Sequence, residues 1–238
     1  MMRNLIKKYH EFIEEAVGKS PTKSEMKQID KRMSIINSNL NKEHINKEVR
    51  RLYDNELSQM WGKIIAYENK GDNIKLISEN ISIESGAQIT SICSGLCVFE
   101  MFIASELTPK GFVNCFDFSK EMNKMANSIK TRLQVRNIKI TFADVKYIPL
   151  VGNSQDVVLA IRTGLSSTKD WGKVLKEVVR VMKDDASSRL VYTVQRNFNK
   201  PKSEIKKELN LAGLRFIKQK SFKDKDKDVI DLIIAKKK

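Results

Sequence analysis

Ile-Thr-Ser-Ile-Cys-Ser-Gly-Leu-Cys, residues 89–97, is the stretch whose reading decides the fold of this chain. A short apolar strand runs into a turn and then into an apolar helix over 98–106. A second apolar run, Phe-Val-Asn-Cys-Phe-Asp (112–117), follows and ends in Asp117. That is the outline of a βαβ unit whose first turn meets a nucleotide-type cofactor and whose second strand ends in a ribose-binding acid. Such a turn wants glycines, and in this one only Gly95 is present.

Strands and helices alternate from Gly86 onward. Strand-like runs fall at 88–93, 111–116, 138–142, 156–161, 188–194, 215–222 and 229–235, and helical segments at 98–106, 120–134, 169–182 and 202–212. Repeated βα units imply a mostly parallel sheet covered by helices on both faces. Residues 223–228 alone separate the last two strands, which forces an antiparallel hairpin at the end of the sheet. Upstream, residues 1–70 predict helices. Leu5, Tyr9, Phe12, Ile13 and Val17 recur at helical spacing, and Ser20-Pro21-Thr22 breaks the chain before Ile29, Met33, Ile36 and Leu40. A third helix over 46–67 carries Tyr53 and Trp61 and is ended by Gly71-Asp72-Asn73. Stripes of this kind must pack on the rest of the chain or on a partner.

Three further stretches carry a resemblance. Leu-Thr-Pro-Lys-Gly-Phe-Val-Asn-Cys-Phe-Asp-Phe-Ser-Lys-Glu-Met (107–122) pairs a strand-ending acid with Ser-x-x-Met. Phe-Ala-Asp-Val-Lys-Tyr-Ile-Pro-Leu-Val-Gly-Asn-Ser-Gln-Asp-Val-Val (142–158) places an Asp and a Pro before a strand opened by Asp, and Val-Leu-Lys-Glu-Val-Val-Arg-Val-Met-Lys (174–183) is the helix before the fifth strand. In this order, over roughly 84–195, they resemble the class I S-adenosylmethionine-dependent methyltransferases, in particular the ubiquinone/menaquinone C-methyltransferase-like group. The resemblance implies an α/β fold: a Rossmann-like, seven-stranded, mostly parallel sheet with a C-terminal antiparallel hairpin. It also implies S-adenosylmethionine as cofactor and methyl transfer to a small-molecule acceptor, to which the basic charge of the chain adds RNA as a second acceptor class. It divides the chain into an N-terminal helical lid or appendage, 1–75, and a methyltransferase domain, 76–238.

The family's first motif is an acid followed by three glycines at alternate positions. Ser91 stands in the acid's place, and Cys93, Gly95 and Cys97 stand in the places of the glycines. In the family the acid helps to hold the cofactor's ammonium, so a neutral hydroxyl implies binding weakened by about 1.5–3 kcal/mol. An acid returned to position 91 should tighten it. The resemblance further implies that Asp117 holds the cofactor ribose, with Phe118 beside it, and that Asp144 meets the adenine amine, with Val145 beside it. From the residues alone, Asp117 also fits a helix N-cap ahead of Ser119 and Glu121, Asp144 fits a turn residue, and Asp156 is structural. After the fourth strand, Arg162-Thr163-Gly164-Leu165 holds neither Asn-Pro-Pro-Tyr nor Pro-Cys. Amino-group methylation of adenine or glutamine, and attack at pyrimidine C5, are therefore not expected. Arg162 fits an anion contact or a solvated strand end, and Tyr53 and Trp61 fit a pocket lining or the core. No catalytic residue is assigned.

The net charge is +15, and 15 basic against 6 acidic residues at 186–238 concentrate the surplus at the C-terminal end. Lys202, Lys206, Lys207, Lys218, Lys220 and Lys223 would form an RNA footprint there. Against that, 33 Lys to 11 Arg is what AT-rich codon usage produces, and arginine is the better phosphate and base reader. Three cysteines and two histidines, His10 and His44, argue for reduced thiols and no metal site. With no run of 18 apolar residues and no signal-peptide stretch, the expectation is a cytoplasmic protein without a membrane span. Two function classes follow. One is a methyltransferase, favoured by Asp117 and Asp144. The other is a catalytically degenerate methyltransferase fold serving as a binding or assembly module, including on RNA, favoured by the loop at 91–97. The sequence does not fix the oligomeric state.

Overall fold

The computed structural model describes residues 2–40, 60, 62, 64, 72–163, 169–195, 201–223 and 229–238. Its strands are β1 (Gln88–Ile92), β2 (Phe112–Asp117), β3 (Ile138–Phe142), β4 (Val157–Ala160), β5 (Arg189–Gln195), β6 (Leu214–Lys223) and β7 (Val229–Lys237). They form one sheet in the order β3-β2-β1-β4-β5-β7-β6. The first five run parallel, and β7 is antiparallel to both β5 and β6. This is the Rossmann-like arrangement with a terminal hairpin. Strand order, not direction, reverses between β1 and β4, so the C-terminal end of β1 lies at the switch point where open α/β sheets take ligands.

Two-residue periodicity sorts the strand side chains into two cores. Ile89, Leu159, Leu232 and Ile234 enter one core, while Ile92, Val158, Ala160, Ile233 and Ala235 enter the other. The first is covered by α1 (Met2–Val17), α2 (Lys23–Leu40), α3 (Asp72–Asn80), α4 (Val98–Phe102) and α5 (Lys120–Arg132). The second is covered by α6 (Trp171–Val181) and α7 (Lys202–Leu211), where Trp171 meets Tyr192 edge-on at 5.3 Å.

The predicted strands appear within one or two residues of their sequence limits. The break at Ser20-Pro21-Thr22 is also real. Thr22 and Glu25 exchange side-chain-to-amide bonds of 2.8 and 3.3 Å, a capping box that starts α2. Two elements differ from expectation. The helix expected over 98–106 is α-helical only to Phe102. Ile103–Leu107 then widen into a π-helical turn, closed by the Thr108 amide on the Ile103 carbonyl at 2.9 Å. Asn137 supports that turn by donating to the carbonyls of Ala104 and Thr108. Gly71-Asp72-Asn73 was expected to close the helical region, yet a further helix, α3, begins at Asp72, because Ile74 and Ile77 supply another buried stripe. The third N-terminal helix, with Tyr53 and Trp61, lies outside the described residues apart from Met60, Gly62 and Ile64. Met60 and Ile64 are buried in the first core.

Candidate cofactor site

The loop after β1 holds the left-handed backbone of a glycine loop without most of its glycines. Cys93, Gly95 and Cys97 have φ of 54°, 52° and 55°. For the two cysteines that conformation costs roughly 1–2 kcal/mol each. The loop is tied to its neighbours by the Ser94 amide on the Phe116 carbonyl, 3.2 Å, and the Cys97 amide on the Ser94 carbonyl, 2.9 Å. At the end of β2, the buried carboxylate of Asp117 accepts from the Gly95 amide at 2.9 Å through Oδ2, and from the Ser119 amide at 2.9 Å through Oδ1. Ser119 is itself the N-cap of α5, its hydroxyl accepting from the Met122 amide. Capping therefore belongs to Ser119, and Asp117 joins the two loops. Phe118, between them, is half-buried.

The two cysteines of the loop point to different neighbours. Cys93 faces Thr163, Asp117 and Asp144; burial first, and the two carboxylates after it, push its thiol up to about 12. Cys97 donates to Ser94 Oγ and lies beside Cys115, whose thiol is raised well above its ordinary value, chiefly by burial. Neither Cys93 nor Cys115 is therefore a thiolate near neutral pH. All three cysteines are free, and among the described residues no group of three or more His, Cys, Asp or Glu comes together as a metal site.

Asp144 follows β3. It accepts from the Lys146 amide at 3.0 Å and pairs with Lys146 Nζ at 3.4 Å, and Lys146 also reaches Asp170 at 3.3 Å. Val145 is buried in the second core with Ile92 and Phe116. Asp156 stays structural, held by the Gln88 amide and by Lys183.

Two residues for which sequence patterns implied no role at the site, Glu100 and Tyr9, lie beside it. Ser91, buried in β1, donates through Oγ to Glu100 Oε1 at 2.6 Å. Glu100 is the lone acid in an otherwise apolar run, Val98-Phe-Glu-Met-Phe-Ile-Ala, which is the signal that marks it. It is 4% exposed, and burial pushes its carboxyl up from 4.5 to about 7, against the Ser91 hydrogen bond and with a smaller push from Asp117. Tyr9 of α1 packs on α4, with ring centroids 6.1 Å from Phe99 and 4.8 Å from Phe102. Its hydroxyl is buried without a hydrogen-bond partner among the described residues, and it feels the charges of Glu100 and Arg162. Arg162 is not a solvated strand end. Its Nε and Nη2 are buried, and its amide donates to Thr193 Oγ1 at 2.7 Å.

The N-terminal segment also reaches the loop. A β-carbon on Gly62 would lie 3.7 Å from Val17 and 3.8 Å from Leu96. Among the described residues no helix is long and apolar enough to cross a membrane.

Residues 34–204 match the sequence model of the ubiE/COQ5 methyltransferase family. The chain belongs to that family. Membership places it in a family of S-adenosylmethionine-dependent methyltransferases. Curated relatives include the demethylmenaquinone methyltransferases of Listeria monocytogenes serotype 4a, 29% identical over 115 residues, and of Geobacillus sp. strain WCH70, 30% identical over 105. These alignments cover 48% of both chains for the Listeria enzyme and 44% for the Geobacillus enzyme, so the chain spans about half the length of the curated relatives it matches. Among solved structures, a SAM-dependent methyltransferase from Aquifex aeolicus superposes with a TM-score of 0.59 at 17% identity, over 80% of this chain and 99% of that one. The magnesium protoporphyrin IX methyltransferase of Synechocystis PCC 6803, solved with SAM bound, does so at 0.63 and 13%, over 80% and 95%. At those identities the likeness is one of fold.

Proposed function

We propose that this chain transfers a methyl group from S-adenosylmethionine to a small-molecule acceptor of the quinone class named in its relatives. The observation that carries the reading is the run of left-handed residues at 93, 95 and 97, joined to Asp117 through the Gly95 amide. Strained backbone of this kind persists where the surroundings over-determine it, and it gathers at ligand sites. The donor set suits the cofactor. Asp117 would hold the ribose hydroxyls beside Phe118, and Asp144 would take the adenine amine beside Val145. Cys93 and Cys97 would line the passage, which their β-carbons narrow.

Bound there, the cofactor supplies a sulfonium methyl open to in-line displacement. The chain's own contribution is orientation and the exclusion of water, so the lack of an assigned base does not oppose the reading. The N-terminal helices would act as the cover, with α1 lying on α4 through Tyr9. Calorimetric titration with S-adenosylmethionine and S-adenosylhomocysteine tests the site, and transfer of labelled methyl to a demethylated naphthoquinol tests the acceptor. The expected dissociation constant is on the order of tens of micromolar, about −6 kcal/mol. Failure of both ligands to bind would turn the reading to a binding module built on a degenerate fold.

A further inference from the structure

We infer that Glu100 supplies the carboxylate for the cationic amino-acid end of the cofactor, with Ser91 positioning it, so that the acid missing from β1 has been replaced from α4. This rests on the cofactor reading above. Ser91 Oγ donates to Glu100 Oε1 at 2.6 Å, so the carboxyl sits at the side chain of the very residue that stands where the acid would be. Glu100 is 4% exposed, and its helix neighbours Val98, Phe99, Met101 and Phe102 are all buried apolar groups. A carboxyl in such surroundings is costly as an anion unless a cation meets it. The cofactor carries an ammonium that would do so.

A second observation points the same way. The Tyr9 hydroxyl is fully buried and has no hydrogen-bond partner among the described residues, and it is close enough to Glu100 to feel its charge. A polar group left in that state beside a carboxyl fits a place that a polar ligand completes.

The groups facing Glu100 from each neighbouring element are Ser91 on β1, Tyr9 on α1, and Cys115 and Asp117 on β2, with Arg162 acting on Tyr9 from beyond β4. Burial holds the carboxyl near 7, so at neutral pH it is partly protonated until a cation arrives. Arrival of the ammonium then expels the proton: the O–H bond of Glu100 breaks, the proton passes to buffer, and the carboxylate remains as the counter-ion.

The test is calorimetry on the full chain with two probes. S-adenosylhomocysteine carries the ammonium; 5′-methylthioadenosine carries the same nucleoside without it. Wild type at pH 7 should release about half a proton on binding the first, read from the heats in two buffers of different ionisation enthalpy, and none on binding the second. Glu100→Gln should weaken S-adenosylhomocysteine about tenfold or more, leave 5′-methylthioadenosine within about twofold, and abolish the proton release. Equal binding of S-adenosylhomocysteine by Glu100→Gln and wild type, or wild-type binding without proton release, overturns the assignment to Glu100 alone. Failure of wild type to bind either probe overturns the cofactor reading and this inference together. The proton measurement on wild type needs no variant to fold.

Discussion

The Gly95 amide donates to Asp117 Oδ2 across 2.9 Å while the Ser119 amide occupies Oδ1 at the same distance, so one buried carboxylate fastens the loop after β1 to the start of α5. The residue proposed to hold the ribose is also a structural tie.

Asp117→Ala removes that tie and leaves two amides without their acceptor. The variant should lose about 1–3 kcal/mol of stability in urea titrations and most of its affinity for the cofactor in calorimetry. Unchanged cofactor affinity in a folded Asp117→Ala protein would confine Asp117 to the structural role.

A β-branched side chain placed at position 97 would meet a φ of 55° that such residues rarely tolerate. Cys97→Val should therefore destabilise the chain by about 2 kcal/mol or more despite conserving an apolar, buried character. Cys93→Gly, at a φ of 54°, should keep stability within about 1 kcal/mol, since relief of strain offsets the greater freedom of the unfolded chain. It should also tighten cofactor binding by clearing the passage. Equal behaviour of the two variants in urea melts would show that the loop is free to leave the left-handed region.

Glu100 makes stability depend on pH in a defined direction. Its folded carboxyl, near 7, keeps a proton that the unfolded chain releases near 4.5. The stability gained from that bound proton is fully present below about 4.5 and is lost as pH rises towards 7, by on the order of 3 kcal/mol. Glu100→Gln cannot titrate. Relative to wild type, its urea midpoint should change little at pH 4.5 and rise at pH 8. A constant difference across that range would mean that Glu100 is ionised throughout.

The basic C-terminal region should bind RNA weakly. Lys202 and Lys206 lie over the Phe216 ring at 5.4 and 5.2 Å, Lys220 pairs with Glu79 at 3.7 Å, and Lys218 bonds Asn80 at 2.8 Å. These lysines are spread among local partners. Binding in a filter assay should show a log–log salt slope no steeper than about −2. A slope beyond about −4, flattened by charge reversal at Lys206 and Lys207, would move the acceptor class to RNA.

Much of this was legible in the sequence because the determining patterns are short in range. Period-two apolar runs located β1 to β7, and Ser20-Pro21-Thr22 marked the break before α2. Asp117, at the end of an apolar strand, was visible for the same reason. Glu100 was not, because its meaning depends on Ser91 nine positions earlier, across a turn that only the fold closes. Tyr9 followed the helical stripe correctly but looked like one more core aromatic; its lone hydroxyl matters only once α1 is seen to rest on α4. Arg162 resembled a solvated strand end because chain ends commonly are, whereas here the guanidinium turns inward. Tyr53 and Trp61 lie outside the described residues.

The 2.6 Å contact between Ser91 and Glu100 also constrains how this chain can change. An acid restored at 91 would not simply recover the family's affinity, as position 91 taken alone suggests. It would set two carboxyls against each other in a dry space, where one must hold a proton that the ammonium then has to displace. With Glu100 as the proposed counter-ion, reversion at 91 should be a loss while Glu100 stands and a gain only after Glu100 has gone. The two positions form a ratchet: each substitution fixes the sign of the other, and Ser91→Asp with Glu100→Ala should succeed where Ser91→Asp alone fails.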